Sequence, residues 1–257
     1  MPVAVVTGAS SGIGRALARR LARDGWSCVL VARREERLRE LAHELGGEYE
    51  VCDVTDRAHV ARTATSVLAR HPRIGLLVNS AGIPGRRDFL SVEPETVERV
   101  LATNYLGGLW CLRAFLPGLE AAAPDAHVVN VVSVAGTIAF PPSGPYSASK
   151  HAQLAFSRAT AAQLRRRGIH VLTVLPGFIE TEGFPQRTAL ASRFLRRTVR
   201  TPEELADRIA RGLARRKGEF TYPRFYQAFA IVQALAPTLV GRVASRAGSG
   251  YRRGAPD

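Results

Sequence analysis

A glycine turn set between a strand and a helix constrains this chain more than any other feature of it. Pro2-Val-Ala-Val-Val6 is a short apolar run, and Thr7-Gly-Ala-Ser-Ser-Gly-Ile-Gly14 follows at once. Arg15 to Asp24 then has helical periodicity, with Leu17 and Leu21 four apart. Glycines at 8, 12 and 14 permit a tight turn and let backbone N–H groups approach a pyrophosphate. The helix N-terminus adds its partial positive charge. Strand, glycine turn and helix in that order predict a dinucleotide-binding βα unit.

The rest of the chain continues the alternation. Ser27 to Ala32 reads as the second strand, ending Ala32-Arg33-Arg34 with no carboxylate where NAD-binding folds place one on the adenosine ribose. An arginine there can fork onto a 2′-phosphate, which favours NADP(H) over NAD(H); the other reading is that Arg33 and Arg34 merely open the solvated helix Glu35 to Leu45. Glu48 to Cys52 is strand three, followed by Asp53, Val54 and a helix to Arg70. Ile74 to Val78 is strand four, ending Asn79-Ser-Ala-Gly82, small residues that suit either a ligand's close approach or a tight turn. Glu93 to Leu119 is largely helical and carries Asn104 among apolar neighbours, as a satisfied core group or a functional one. Ala126 to Val132 and Ile169 to Leu175 are strands five and six, the latter ending Pro176-Gly177. Thr181 to Thr198 is polar, aromatic and irregular, suited to covering a pocket. Thr201-Pro-Glu-Glu204 starts a helix that runs to about Lys217. Such alternation predicts a single doubly wound parallel sheet of the α/β class.

Chemistry gathers in Ser133 to Lys150. Tyr146 and Lys150 stand four apart at the start of a run to Arg167 that reads as a helix, so phenol and ammonium share a face. A nearby cation favours phenolate, which a proton donor working near neutrality needs. Ser133 follows the fifth strand, so its hydroxyl points into the crevice where open α/β sheets bind ligands.

Composition narrows the setting. Cys28, Cys52 and Cys111 are scattered, as expected of reduced thiols in a cytoplasmic protein without a structural metal. A first strand beginning at Pro2 leaves no room for a signal peptide. The net charge of +14 is uneven: residues 1–150 carry 17 basic and 15 acidic side chains, residues 151–257 carry 19 and 7. That asymmetry hints at an acidic partner. Phe225, Phe229, Val232, Leu235, Leu239 and Val243 mark an amphipathic helix broken or kinked near Pro237. It is too short and polar to span a membrane. It packs on its own domain, caps the pocket, joins a subunit interface, or lies on a membrane surface with Arg224, Arg242 and Arg246 at its edges. The tail Ser245 to Asp257 reads as disordered.

Taken together, Thr7-Gly-x-x-x-Gly-Ile-Gly14, Asp53, Asn79-Ser-Ala-Gly82, Asn104, Ser133, Tyr146-Ser-Ala-Ser-Lys150 and Pro176-Gly177 resemble the short-chain dehydrogenase/reductases over about residues 2–220. The resemblance implies a Rossmann-type, three-layer fold with about seven parallel strands over residues 1–222. Residues 223–246 read as a helical extension of the same domain and 247–257 as a disordered tail. It implies a nicotinamide cofactor held by Gly8, Ser10, Ser11, Gly12, Ile13 and Gly14 at the turn. Arg33, Asp53 and Val54 would lie at the adenosine end, and Asn79, Ala81 and Gly82 at the central strand. Tyr146, Lys150, Pro176, Gly177, Ile179 and Thr181 would lie about the nicotinamide. It implies a catalytic set of Ser133, Tyr146, Lys150 and Asn104, with Asn104 holding a water that links Lys150 to solvent. Ile138, Phe140, Phe178 and Phe184, with Ser133 and Tyr146, would bound the substrate pocket. Homodimers or homotetramers are usual in such proteins. Ser80 departs from the commoner second asparagine of its motif, and the segment after Tyr222 matches no general pattern of the family.

The reaction expected is NADP(H)-dependent hydride exchange with an apolar ketone, aldehyde or secondary alcohol such as a lipid, steroid or retinoid. A 3-oxoacyl thioester is the alternative within the class, and a non-catalytic cofactor-sensing regulator the alternative outside it. The basic half shows no nucleic-acid docking motif and no aromatic stacking platform, so nucleic acid is not an expected partner.

Overall fold

The computed structural model describes residues 1–85, 88–139, 143–186, 190 and 195–242. Its seven strands are β1 (Val3–Thr7), β2 (Ser27–Ala32), β3 (Glu48–Val51), β4 (Leu76–Asn79), β5 (His127–Val131), β6 (His170–Pro176) and β7 (Glu219–Tyr222). They form one sheet in the order β3-β2-β1-β4-β5-β6-β7, every neighbour parallel. β1 pairs with both β2 and β4, with Val5 opposite Val29 on one side and Leu77 on the other. The chain therefore winds outward from β1 in one direction, returns, and winds out in the other. Loops leaving β1 and β4 diverge, which opens a crevice at their C-terminal ends.

Side chains alternate across the sheet, and each face is sealed by its own helices. Ala4 and Val6 pack with α1 (Gly12–Arg23), α2 (Glu35–Leu45) and α7 (Pro202–Ala214), through Leu17, Leu38 and Leu205. Val5 and Leu77 face α3 (Arg57–Arg70), α5 (Gly107–Ala122) and α6 (Gly144–Arg165), through Val67, Phe115 and Leu164. Complete burial of one such side chain stabilises the fold by about 1.5–3 kcal/mol.

Element ends follow local chemistry. α7 opens on a capping box, Thr201 and Glu204 each accepting from the other's backbone N–H, with Pro202 in the first turn. α6 begins two residues before Tyr146, because Pro145 fits a first turn that needs no N–H from it. β4 starts later than the apolar run implied: Ile74 N–H is drawn to Gly118 O, so the ladder begins at Leu76. The expected long helix is α4 (Pro94–Leu101) and α5, joined by a π-helical turn over Ala102–Leu106. α8 (Tyr226–Leu235) stops before Ala236, and helical backbone resumes over residues 237–242. That is the break expected at Pro237. Phe140, Val243, Arg246 and the tail from Ser245 lie outside the described residues.

A buried polar chain crosses the second layer. Asn79 Nδ2 donates to Asn130 Oδ1 (2.9 Å) and Asn130 Nδ2 to Ser157 Oγ (2.9 Å), while the Ser157 and Thr173 hydroxyls are 2.7 Å apart. This chain ties β4, β5, β6 and α6 together. An Asn130→Leu variant strands the Asn79 amide N–H and takes one of two partners from Ser157. It is expected to lower the unfolding free energy by about 2–4 kcal/mol, read as a shifted urea midpoint at constant slope.

Candidate active site

Thr7, at the end of β1, draws the two diverging loops together. Its Oγ1 donates to Val78 O (3.0 Å) and accepts from Ser80 N (3.1 Å) and Ala81 N (3.3 Å). The turn that follows needs its glycines. Gly8 has φ +68° and its missing Cβ would lie 2.8 Å from the Ala81 backbone; one on Gly14 would lie 2.4 Å from Gly8 O. Ser11 caps α1 in extended conformation without a side-chain bond to the helix, and no acid sits in the first turn. A helix start that is acid-free and lacks a side-chain cap, behind a glycine turn, fits a diphosphate. Ile13 is half-buried against the core, and Thr181 lies directly over Gly12.

At the adenosine end the two arginines divide. Arg33 is largely exposed and 3.8 Å from Asp53. Asp53 Oδ1 accepts from the backbone N–H (2.9 Å) and hydroxyl (2.8 Å) of Thr55, which fixes it at the end of β3. Val54 is buried and packs on Gly107 at the start of α5. Arg34 crosses the glycine turn: Nε donates to Ser10 Oγ (3.2 Å), and Nη2 to Ser10 Oγ (3.0 Å) and Ser11 Oγ (2.6 Å). Arg34 also pairs with Glu182 at 3.3 Å, and Arg37 closes on the same carboxylate. The Arg37 guanidinium holds the Glu182 carboxyl below its ordinary range. Asn79 is 2% exposed at the end of β4: its Nδ2 is bound to Asn130, while its Oδ1 is buried without a partner among the described residues.

The catalytic candidates converge on α6. Lys150 Nζ lies 5.7 Å from the centre of the Tyr146 ring and donates to Gln153 Oε1 (2.7 Å) and Val131 O (3.2 Å). Lys150 is 4% exposed, and burial pushes its pKa down to about 7. Ser133 Oγ donates to Pro176 O (3.4 Å) and accepts from Ala135 N (3.1 Å), holding the hydroxyl between β5 and β6. Asn104 sits in the π turn, 1% exposed. Its Oδ1 accepts from Ile83 N (2.8 Å), and Nδ2 donates to Ile83 O (3.0 Å) and Ser149 Oγ (2.9 Å). Ser149 Oγ donates in turn to Tyr146 O (2.7 Å). Asn104 thus braces the Tyr146 turn, and both its amide hydrogens are committed. A methyl on Gly82 would touch both Asn104 Oδ1 (3.3 Å) and Lys150 Nζ (3.9 Å), so Gly82 separates the two.

Phe184 closes one side, its ring 5.5 Å from that of Tyr146 and its N–H bonded to Thr181 Oγ1 (3.1 Å). Phe178 meets Tyr226 edge-on at 6.1 Å, and Gly177 N donates to Tyr222 O (2.9 Å). Ile179 is buried and Ile138 half-buried. Gln153, Ser149, Thr7 and Glu182 are site residues that pattern reading missed. Gln153 left a signal, three positions from Lys150 on the same helix, and Thr7 and Ser149 stand inside the quoted motifs; Glu182 meets Arg34 and Arg37 only across a long sequence distance.

The profile of the short chain dehydrogenase family matches residues 2–190. A dehydrogenase/reductase SDR family member 7B of Bos taurus is 33% identical over 264 residues, covering 95% of this chain and 81% of that protein. Among solved structures, a single-substitution variant of actinorhodin polyketide ketoreductase with NADPH has a TM-score of 0.78 at 29% identity, covering 87% of this chain and 96% of its own. A short-chain dehydrogenase/reductase of Burkholderia phymatum in complex with NAD has a TM-score of 0.81 at 26% identity, covering 93% and 94%. With its seven-stranded parallel sheet, its glycine turn and the Tyr146–Lys150 face all in register, the chain belongs to the short-chain dehydrogenase family of oxidoreductases.

Proposed function

We propose that this oxidoreductase exchanges a hydride between NADP(H) and an apolar ketone, aldehyde or secondary alcohol. The carrying observation is the Tyr146–Lys150 pair on one face of α6, braced through Asn104 and Ser149 at the mouth of the crevice. When bound, the nicotinamide supplies the hydride. Everything else belongs to the chain. In the reducing direction Tyr146 Oη gives its proton to the carbonyl oxygen, and the Ser133 hydroxyl hydrogen-bonds that oxygen as charge develops on it. The Lys150 ammonium favours the phenolate left behind, and Asn104, across Gly82 from Lys150, steadies the Tyr146 turn through Ser149. Phe178, Phe184 and Ile138 provide an apolar wall and exclude water.

NADP(H) is favoured by the arginines. Arg33 reaches out beyond Asp53, and Arg34 is already aligned by Ser10 and Ser11 beside the turn. A 2′-phosphate placed between them would be held by two guanidinium forks. A 3-oxoacyl thioester is a second reading, favoured by the likeness to a polyketide ketoreductase.

Three outcomes follow. Tyr146→Phe should bind NADPH as the wild type does, by quenching titration, while kcat for ketone reduction falls at least about a hundredfold. Arg33→Ala with Arg34→Ala should weaken NADPH at least about tenfold and NADH no more than about threefold. Lys150 in the cofactor-free protein titrates near pH 7, and an anionic dinucleotide beside it raises that value. Above pH 7, binding must therefore take up protons, and affinity must fall as pH rises. Calorimetry at pH 8 in buffers of different ionisation enthalpy should give a net uptake of up to about one proton, lost in Lys150→Met.

A further inference from the structure

α8 turns its apolar side away from the domain. Phe225, Phe229, Ile231, Val232 and Leu235 are 45% to 81% exposed, whereas Tyr226 on the opposite side is 9% exposed. Helical spacing places Phe225, Phe229 and Val232 in one stripe, with Ile231 and Leu235 along its edge. Beyond the break at Pro237, Leu239 is again 55% exposed. Gln227 in the first turn of this helix, and Arg224 just ahead of it, also line a cleft of about 630 Å³ beside β7. Arg208, Arg211, Arg215 and Lys217 line the same cleft. Its one carboxylate, Glu219, is paired with Arg158 outside it. No acidic residue occurs between Glu219 and Asp257.

An exposed apolar stripe beside five cations has a specific complement. A second copy would set one arginine cleft against another, a like-charge juxtaposition that disfavours docking. A bilayer carrying anionic lipid satisfies both parts, the apolar side chains at the acyl boundary and the guanidiniums on lipid phosphates. We propose that α8 and the arginine cleft beside it form a docking surface for an anionic lipid bilayer. The contact is peripheral: no helix among the described residues is long and apolar enough to cross a membrane. It stands independently of the reaction proposed above.

Cosedimentation of the full chain with vesicles tests this. Wild-type protein should sediment with phosphatidylcholine mixed with phosphatidylglycerol, remain in solution with phosphatidylcholine alone, and be released by high salt. Phe229→Ser with Leu235→Ser should lower the partition coefficient at least about tenfold while the circular dichroism spectrum is unchanged. Arg211→Gln with Arg215→Gln, which leaves the helix intact, should do the same. Wild-type protein that ignores anionic vesicles, or either folded double variant sedimenting as the wild type does, overturns the proposal. So does a wild-type dimer that neglects vesicles and becomes monomeric, by light scattering, in the Phe229→Ser and Leu235→Ser variant. In that case the stripe is an interface between copies.

Discussion

One hydroxyl holds the crevice in shape. Thr7 must satisfy both the strand it ends and the loop leaving β4, and it does so with three bonds from a single oxygen. Those bonds bring Gly8 against Ala81, and the turn then closes on Gly14. Parallel winding in two directions creates a gap between β1 and β4, but winding alone leaves its width unset. Thr7 sets it, and the start of α1, the serines under Arg34 and the Thr181 roof over Gly12 are all placed relative to it.

The second constraint is a buried ammonium without a carboxylate. Lys150 is met by an amide oxygen and a main-chain carbonyl, dipoles that orient it without neutralising it. Desolvation therefore wins over stabilisation of the charge, and the proton is held loosely. A carboxylate in the place of Gln153 would have fixed the charge permanently. With Gln153 the charge state is left responsive to whatever anion enters the groove.

Most of the fold was legible because apolar runs and helical periods are local. Six strands and their helices follow from the sequence, with ends shifted by a residue or two where a tertiary bond such as Ile74 to Gly118 overrides the run. β7 was legible only through family resemblance: Glu-Phe-Thr-Tyr is four residues long, lies at the sheet edge and carries no apolar run. The site shows the same division. Tyr146, Lys150 and Ser133 declare themselves by spacing. An asparagine among apolar neighbours suits a core role as well as a functional one, and folding gives Asn104 bonds to Ile83 and Ser149. Asn79, expected at the central strand end, stands there, and only folding shows that its Nδ2 joins a polar chain while its Oδ1 is buried without a partner among the described residues. The family resemblance points to Arg33 alone at the adenosine end, and only folding shows that the Arg34 guanidinium lies across Ser10 and Ser11.

The packing of Tyr226 on Gly177 reaches further than a local contact. A Cβ at position 177 would lie 2.1 Å from the Tyr226 ring, so the strand-end loop and the last helix are cut to each other's outline. Neither partner can drift alone: a larger residue at 177 demands a smaller one at 226, and shortening the chain ahead of Tyr226 would leave a trench along the loop that carries Phe178. The final helix is thus fitted to the loop that carries Phe178, and descendants of this sequence can trade it away only by rebuilding that loop.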